Sequence, residues 1–505
     1  MSLARGFARG LCRGLYGGLL TLLQPAYRAR LWWRARAEPG YGEASGERFG
    51  RYDEPFVAPG ALWIHAVSLG ETRAAKALID ALRARRPGLR LLLTHGTATG
   101  RAAGRELLHP GDRQCWLPID TPAAVARFYA HQRPVLGVLM ETELWPNLVA
   151  GARRAGMPIV QANARLSERS LAKGRRFEAL LRPAMASLDL VLAQTEADAT
   201  RLRAAGAPDV RVMGNLKFDL APDPALLARG QAWRAASDRP LVLAASTREG
   251  EEAALLAAWQ AANAARAVSE SNEAGETNEA NQASQANEAG EANEANEANE
   301  ANEANDANDA SEASEASEAS EASAEASAEA NAEANASAQP RLLLVPRHPQ
   351  RFDEVAQRVI ASGLSLSRRS GWPEAGPDAA ALRADVWLGD SLGEMHAYYA
   401  AARVALLGGS FEPLGGQNLI EAAACGCPLL MGPSTFNFAD AAELSLAAGA
   451  SERVTSPSTA VDRARLLLGD EALLRSMADG ALRFAAAHRG AAGRMAEAIT
   501  ERWPV

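Results

Sequence analysis

The sequence predicts an α/β protein built on two doubly wound parallel sheets. From about residue 60, short and almost continuously apolar runs alternate with helical stretches rich in Ala, Leu and Arg. Strands that are buried on both faces of a parallel sheet have this pattern, because helices cover both of their sides. Pro222, Pro224 and Pro240 interrupt the alternation. Two successive βα arrays, one on each side of that interruption, therefore indicate two domains.

The chain begins with a basic segment, residues 1–37, that differs from both arrays. It contains seven arginines and no acidic residue, and an apolar stretch runs through it from Leu15 to Tyr27. That stretch is shorter than the roughly 20 residues that span a bilayer, and it lacks the cleavage site of a secretory signal. Arginines interleaved with leucine, Trp32 and Trp33 favour a segment that lies at a membrane surface. A helix packed on its own domain and a tilted single span are the alternatives.

The first array predicts a Rossmann-like domain over residues 38–225 with a ligand-binding edge. Its predicted strands are Leu62–Ala66, Leu89–Thr94, Val135–Met140, Pro158–Ala162, Leu188–Ala193 and Val210–Met213. Polar, charged or glycine residues follow these strands. Ligands of open α/β sheets bind at the carboxyl ends of the strands.

The second array predicts a Rossmann-like domain over residues 226–505 that contains a low-complexity insertion. Its predicted strands are Leu241–Ala245, Arg341–Val345, Leu364–Arg368, Asp385–Leu388, Val404–Leu407 and Pro428–Met431. Residues 269–338 repeat Asn-Glu-Ala and Ser-Glu-Ala triplets without aromatic or large aliphatic side chains. Such a segment buries too little apolar surface to offset the entropy of ordering. We therefore expect a disordered surface insertion without a chemical role.

The net charge of −8 is concentrated in that insertion. Nineteen acidic residues and no basic ones lie between Glu270 and Glu333, so the rest of the chain has 42 acidic residues against 53 basic ones, a net charge of +11. A positive folded portion suits anionic substrates or an anionic membrane surface. Charge alone does not separate phosphosugars from nucleic acid.

Glu71 is the first candidate for chemistry, because it follows a strand and a glycine turn at the start of a helix. A carboxylate in the first helical turn can simply favour the helix dipole. It can equally act as a general base that takes a proton from an acceptor hydroxyl.

Two acids and a lysine follow other strands of the first array. Glu141 and Glu143 come directly after an apolar strand, where acids are costly unless they are paired or used. They indicate either a structural ion pair, with Arg165 or Lys217, or an active-site network. Lys217 can neutralise charge that develops on a phosphate or carboxylate, or it forms a salt bridge with Asp219 or a neighbour.

The second array offers groups that suit a phosphate. Arg347 lies between two prolines at the end of a strand, so a rigid backbone positions a planar, bidentate phosphate binder. The runs Gly408–Ser410 and Gly415–Glu421 resemble a glycine loop that opens a helix, whose free N–H groups can meet a phosphate. Glu421 could accept ribose hydroxyls.

The sequence lacks the common metal and nucleotide motifs. It contains no Asp-x-Asp pair, His-Glu-x-x-His, Walker loop or Gly-x-Gly-x-x-Gly fingerprint. We therefore predict no cofactor and no metal, with positive side chains and helix ends stabilising a leaving nucleotide.

Taken together, these motifs resemble the Kdo transferase family, which moves 3-deoxy-D-manno-octulosonate (Kdo) from CMP-Kdo to the lipid A precursor. The resemblance runs from about Leu15 to Phe484 apart from the insertion. Its most specific blocks are His65–Glu71, Glu141–Asn147, Asn163–Ser167, Lys217–Asp219, Pro346–Pro349, Gly432-Pro433 and Asn437-Phe438.

The resemblance implies an inverting, metal-independent glycosyltransferase of the GT-B-like fold, with the two domains facing each other across a cleft. The first domain would bind the acceptor, lipid IVA, on the cytoplasmic face of the inner membrane, and the second would bind CMP-Kdo. Glu71 matches the family's proton acceptor, and Glu141 and Lys217 match its transition-state stabilisers. The matches to its CMP contacts are Pro346, Arg347, Gly393, Glu394, Met395, Asn418, Leu419, Ile420 and Glu421. We expect no nucleic-acid partner.

The chain departs from the family at two places near the expected donor site. The family has Ser-Thr-His where this chain has Ser246-Thr247-Arg248, and Gly-Gly-His-Asn-Pro where it has Gly415–Leu419. Gln417 can hydrogen-bond but does not titrate, so the donor contacts at that helix start stay open.

Two other functions compete with Kdo transfer. An enzyme of the same fold could use a UDP-sugar, as a transferase or an epimerase. A non-catalytic membrane adaptor could use the acidic tract as a binding arm. The presence of Glu71, Glu141, Lys217 and Arg347 at four strand ends argues against the adaptor.

Overall fold

The computed structural model describes residues 2–53, 58–266 and 339–503, which fall into two units. One unit comprises Met1–Ala221 and Ala486–Val505, and the other comprises Pro222–Ala485. The predicted insertion, residues 269–338, lies outside the described residues.

The first unit contains a seven-stranded parallel sheet whose five inner strands are buried throughout. The strands are β1 Leu62–His65, β2 Leu91–His95, β3 Arg113–Trp116, β4 Leu136–Met140, β5 Ile159–Ala164, β6 Leu190–Ala193 and β7 Val210–Val212. Their order is β3-β2-β1-β4-β5-β6-β7. The order reverses between β1 and β4, and ligands of open α/β sheets bind at such a reversal.

Helices cover both faces of this sheet. They are α1 Ser2–Leu22, α2 Gln24–Ala37, α3 Leu69–Arg85, α4 Ala98–Arg105, α5 Pro122–Gln132, α6 Pro146–Arg154, α7 Glu168–Arg175, α8 Glu178–Met185 and α9 Glu196–Ala205, with 3-10 turns at Pro39–Tyr41, Ser45–Phe49 and Leu216–Asp219. Several helices begin just after a strand because a hydroxyl side chain caps them. Ser68, Thr97, Thr121 and Thr195 each accept the N–H of the third helical residue.

The second unit repeats the plan with another seven-stranded parallel sheet. Its strands are β8 Leu241–Thr247, β9 Arg341–Pro346, β10 Leu366–Arg368, β11 Val386–Leu388, β12 Val404–Leu407, β13 Leu429–Met431 and β14 Ser451–Arg453. Their order is β10-β11-β9-β8-β12-β13-β14, so the reversal lies between β8 and β12.

The helices of the second unit bury the faces of that sheet in the same way. They are α10 Pro224–Ala236, α11 over residues 251–266, α12 Phe352–Ala361, α13 Ala379–Arg383, α14 Met395–Ala401, α15 Leu419–Ala424, α16 Ala439–Ala447, α17 Pro457–Leu468 and α18 Glu471–Ala487, with 3-10 turns at Pro349–Arg351, Arg369–Gly371 and Phe436–Phe438. Trp259 of α11 and Leu342 of β9 are both fully buried in one core cluster.

All twelve predicted strands are present, and the structure adds β3 and β14 at sheet edges. These two strands read Arg-Gln-Cys-Trp and Ser-Glu-Arg. An edge strand is partly exposed and can carry polar residues, so a search for continuously apolar runs passes over it.

The last helix, α19 Ala491–Thr500, belongs to the first unit. Its Met495, Ala496 and Ile499 are buried in the same apolar cluster as Leu78 and Leu82 of α3. The sequence pattern predicts one domain over residues 226–505, whereas the structure assigns Ala486–Val505 to the first unit. The division between the units also falls at 221/222 rather than 225/226.

Candidate active site

Glu71 lies in the first turn of α3, directly after β1. The Ser68 hydroxyl donates to Glu71 Oε1 at 3.0 Å, and the Val67 N–H donates to Glu71 Oε2 at 2.8 Å. The Ser68 side chain also caps α3 by accepting the Glu71 N–H, and together these bonds fix the carboxylate at the carboxyl end of β1. The side chain is partly exposed, so the carboxylate is held rigidly without being sealed from a ligand.

The environment of Glu71 suits a general base. Burial is the main cause that raises its pKa to about 7, the N–H of Val67 opposes this effect, and the charges of Glu141 and Glu143 add to it. A helix dipole acting alone would lower the pKa of a carboxyl group. A base is most effective when its pKa lies near the working pH, so these surroundings favour catalysis over simple capping.

Glu141 follows β4, the neighbour of β1 in the sheet, and its backbone is strained. Its φ is +55°, in the left-handed region that residues other than glycine rarely adopt. The Gln161 side chain holds this conformation by donating to the Glu141 carbonyl oxygen at 3.0 Å. Such strain clusters at functional sites, where the surrounding structure maintains it.

Lys217 faces Glu141, and its Nζ lies 3.5 Å from Glu141 Oε1. The lysine is positioned by the 3-10 turn after β7, where Asn215 Oδ1 accepts the Lys217 N–H at 3.0 Å. The residue before the lysine is also held, because its backbone N–H (Leu216) donates to Oδ1 of the buried Asn163 at 3.0 Å. Asn163 itself has a φ of +54°. Asp219 accepts N–H groups at the start of α19. The ion pair that the sequence left open is therefore formed between Lys217 and Glu141, within one unit.

Glu143 completes the acidic group at this edge. The Trp145 Nε1–H donates to Glu143 Oε2 at 2.6 Å, and His65 Nε2 lies 3.9 Å from the same oxygen. Burial lowers the pKa of His65 to about 3, so its imidazole is neutral near pH 7. Burial likewise raises the pKa of Glu143. The edge thus gathers three carboxyl groups and one lysine beside the reversal between β1 and β4.

In the second unit, Arg347 directly follows Pro346, the last residue of β9. Its backbone N–H donates to Thr247 O at 2.9 Å, which ties it to the end of β8. Its guanidinium Nε donates to Gln417 Oε1 at 3.1 Å. Gln417 therefore orients the arginine that the sequence predicts to bind phosphate.

The glycine loop lies at the reversal between β8 and β12. A Cβ on Gly408 would lie 2.4 Å from Ser246 O, so only glycine allows the two strand ends to approach this closely. Gly416, at φ +73°, donates its N–H to Gly409 O at 2.7 Å and folds the loop back on itself. The predicted loop is therefore a compact turn at the carboxyl edge of the second sheet.

Glu251 supports this edge and was missed by the sequence analysis. It is 3% exposed, and its carboxylate accepts N–H groups of Arg248, Gly409 and Phe411 at 2.9, 2.7 and 3.1 Å. These bonds join the loops after β8 and β12. The sequence feature that could have indicated this role is the position of Glu251, three residues after Arg248 and in the first turn of a helix.

The predicted donor residues around Gly393–Met395 form a tightly held turn. Gly393 has φ +86°, and Met395 begins α14. Glu394 Oε1 lies 2.8 Å from Arg229 Nη1 and 2.9 Å from Arg369 Nη2. The Glu394 carboxylate therefore fixes the turn through two arginines, and contact with a nucleotide stays a prediction for all three residues.

The start of α15 carries the other predicted donor residues. Leu419 and Ile420 are buried, whereas Glu421 is partly exposed and its Oε1 lies 3.4 Å from His396 Nε2. Asn418 Oδ1 is buried without a hydrogen-bond partner in the described structure. A buried acceptor without a donor is costly, so a ligand that donates there would satisfy it.

Among the described residues, no group of three or more His, Cys, Asp or Glu side chains is arranged to hold a metal ion. Independence from a metal stays a prediction.

The chain is similar to known proteins along most of its length. A family model described as 3-Deoxy-D-manno-octulosonic-acid transferase (kdotransferase) matches residues 43–220. The 3-deoxy-D-manno-octulosonic acid transferase of Bordetella pertussis is 42% identical over 490 residues, which cover 95% of this chain and 97% of that protein. The protein of the same name from Haemophilus influenzae is 28% identical over 466 residues, which cover 91% of this chain and 90% of that protein.

A solved structure supports the fold. The glycosyltransferase from Rickettsia africae ESF-5 aligns with a TM-score of 0.50 over 89% of this chain and 99% of that chain, at 10% identity. The predicted GT-B-like α/β fold is confirmed.

Proposed function

The chain belongs to the 3-deoxy-D-manno-octulosonic acid transferase family, and we infer from this membership that it transfers Kdo from CMP-Kdo in lipopolysaccharide biosynthesis. We propose that the acceptor is the lipid A precursor, lipid IVA. One observation carries the chemistry: a rigidly held carboxylate with a pKa near 7 lies at the reversal of the first sheet, beside an acid–lysine pair.

In the proposed reaction, Glu71 takes the proton from the acceptor hydroxyl. The freed oxygen forms a bond to the anomeric carbon of Kdo, while the bond from that carbon to the phosphate oxygen of CMP breaks. The bonding electrons leave with CMP, and attack from the opposite face inverts the anomeric centre. The Val67 N–H and Ser68 hydroxyl hold the carboxylate during the transfer.

Lys217 and Glu141 are proposed to stabilise the transition state. A lysine at this edge offsets negative charge on the reacting groups, and it costs little reorganisation because Glu141 already holds it. The strained backbone of Glu141 aims its side chain at that lysine.

The second unit is proposed to bind the nucleotide. Arg347, oriented by Gln417, meets the CMP phosphate with its planar fork. Asn418 Oδ1 accepts a hydrogen bond from the ligand, and Glu421 accepts from the ribose hydroxyls. Pro346 and the Gly393–Met395 turn complete the proposed contacts.

We propose that α1 docks the protein on the cytoplasmic face of the inner membrane. Large apolar side chains recur every three or four residues along one face of this helix, and two tryptophans follow on α2. Their exposed fractions are 55% for Leu11, 66% for Leu15, 57% for Leu19, 79% for Leu22, 61% for Trp32 and 73% for Trp33. Within the described residues, no helix is long and apolar enough to cross a bilayer.

A direct test is to incubate the purified protein and lipid IVA with CMP-Kdo or with UDP-sugars, and to analyse the lipid by mass spectrometry. The proposal expects a Kdo adduct and release of CMP with CMP-Kdo alone. Consumption of a UDP-sugar without any Kdo adduct would contradict it.

A further inference from the structure

A cavity of about 520 Å³ in the first unit shares Val67 and Glu143 with the edge that carries Glu71, and no ligand has so far been assigned to it. It lies where β1 to β4 end, beneath α1 and α2, and its volume is typical of a small-molecule site. Its lining residues are Leu20, Leu23, Ala26, Tyr27, Arg30, Arg48, His65, Val67, Gly96, Leu117, Pro118, Ile119, Asp120, Glu143 and Trp145.

Arg48 is the unusual member of this lining, because its side chain is only 4% exposed. The guanidinium stacks on Trp116, with Cζ 3.7 Å from the ring centroid. Its Nη2 donates to Gly96 O at 3.2 Å, and its Nη1 donates to Tyr27 OH at the long distance of 3.4 Å. Its buried Nε–H has no partner in the described part of the chain.

No carboxylate of the described residues forms an ion pair with Arg48, although its neighbour Glu47 pairs with Arg101 at 3.0 Å. Burying a charge is costly unless an opposite charge accompanies it. An aromatic face contributes only part of that compensation. An anionic ligand in the cavity would supply the rest.

The two acidic side chains in the lining, Asp120 and Glu143, already accept hydrogen bonds from other groups of the protein. Asp120 accepts the N–H groups of Asn147 and Leu148 at 2.9 and 2.7 Å, at the start of α6. Glu143 accepts from Trp145. Burial raises the pKa of both acids, and that of Asp120 reaches about 7, so their repulsion of an anion is reduced near neutral pH.

The remaining walls are apolar and continue toward the membrane-facing helix. Leu20 and Leu23 lie on or just after α1, beside the exposed Leu19 and Leu22. Val67 connects the cavity to the catalytic edge, because it lines the cavity and its N–H holds Glu71. A ligand with an apolar chain, an anionic group and a nearby reactive hydroxyl would match these three features.

We propose that this cavity binds a phosphorylated and acylated sugar of the acceptor lipid, with its phosphate on Arg48 and an acyl chain against Leu20, Leu23 and Ala26. The proposal rests on the proposed function and assigns the part of the first unit that recognises the acceptor. Arg30 lines the same cavity and adds a second positive charge.

The test compares two acceptors, the bisphosphorylated lipid A precursor and its form lacking the phosphate on the sugar that receives Kdo. For the natural sequence we expect kcat/KM to fall at least about tenfold when that phosphate is removed, since a charge-assisted hydrogen bond is lost. For Arg48→Gln we expect a low kcat/KM that is nearly equal for both acceptors, with an unchanged KM for CMP-Kdo. Arg48→Lys should restore part of the discrimination.

Arg101→Gln is the matched control, because Arg101 also stacks on Trp116, at 4.8 Å, but does not line the cavity. It should discriminate between the acceptors as the natural sequence does.

A second variant, Ala26→Trp, tests the proposal if Arg48→Gln fails to fold. It narrows the cavity and keeps Arg48, and it is expected to raise the acceptor KM at least about fivefold by excluding the acyl chain. Equal discrimination by Arg48→Gln and the natural sequence, or an unchanged acceptor KM in Ala26→Trp, would overturn the proposal. Absence of any Kdo transfer by the natural sequence would instead refute the proposed function.

Discussion

At the scale of single residues, the proposed chemistry depends on how neighbouring groups set the pKa of Glu71. Its carboxylate is partly buried and lies near two other acids, so its pKa is raised to about 7. A base must be deprotonated to act, and so kcat/KM should fall as the pH drops below about 7.

Glu141→Gln tests this electrostatic coupling. Removing the negative charge of Glu141 lowers the pKa of Glu71, so the acid limb of the pH profile should move to lower pH. Maximal kcat should also fall, by about 10-fold or more, because Lys217 loses its partner. The pH dependence of kcat/KM between pH 5 and 9 measures both effects. Glu196→Gln, whose side chain is 80% exposed on α9, is the control, and an acid limb that stays in place would contradict the coupling.

The sequence predicts where the candidate site residues lie in the fold better than it predicts the groups that they contact. Glu71, Glu141 and Lys217 could be placed because each follows a strand, and parallel strands end at a common edge. Glu251 and Arg48 could not, because their importance comes from burial and from contacts with residues distant in the sequence. Gln417 was noted as a departure from the family, but its bond to Arg347 depends on loop geometry.

At the scale of secondary structure elements, α1 has a membrane-docking role that can be measured. Leu15→Gln together with Leu19→Gln should weaken binding to vesicles of anionic lipid at least about tenfold, because two apolar side chains of the proposed contact become polar. Vesicle co-sedimentation provides the measurement. Leu466→Gln is a matched control, since Leu466 is 66% exposed, as Leu15 is, but lies on α17. Equal vesicle binding by the double variant and this control would exclude α1 as the anchor.

The element α19 should stabilise the first unit, although it is distant in sequence. Ile499 is fully buried in the cluster it shares with α3. Ile499→Ala should lower the free energy of unfolding by about 2–5 kcal/mol, through lost burial and a cavity. Urea denaturation measures this, with Leu466→Ala as an exposed control. A loss below about 0.5 kcal/mol, typical of surface changes, would mean that α19 does not pack as described.

The pattern of apolar residues predicts the inner strands well, but it does not predict two of the edge strands or the placement of the last helix. The inner strands were found because both of their faces are buried and their residues are apolar. β3 and β14 were missed because these two edge strands are rich in polar residues, whereas the edge strands β7 and β10 have apolar residues at alternate positions and were predicted. The placement of α19 was missed because it depends on tertiary packing rather than on local pattern.

At the scale of the whole molecule, the charge is divided between the insertion and the rest of the chain. Replacing residues 269–338 with a short Gly/Ser linker removes nineteen acidic residues and changes the net charge from −8 to +11. Kdo transfer in detergent should keep its kcat within about twofold, because the sequence of the insertion offers no group for the chemistry. Binding to anionic vesicles should persist to higher salt, because the deleted charges oppose it. A large loss of kcat would show that the insertion serves catalysis.

The central claim, that Glu71 activates the acceptor hydroxyl for Kdo transfer, is tested most directly by single-turnover kinetics of Glu71→Gln with CMP-Kdo and lipid IVA. The substitution keeps the shape and the capping position but removes the base. We predict a transfer rate lower by about 10²–10⁴-fold, with unchanged affinity for CMP-Kdo and normal thermal unfolding. A transfer rate within about twofold of the natural sequence would contradict the assignment of Glu71 and the mechanism that follows from it.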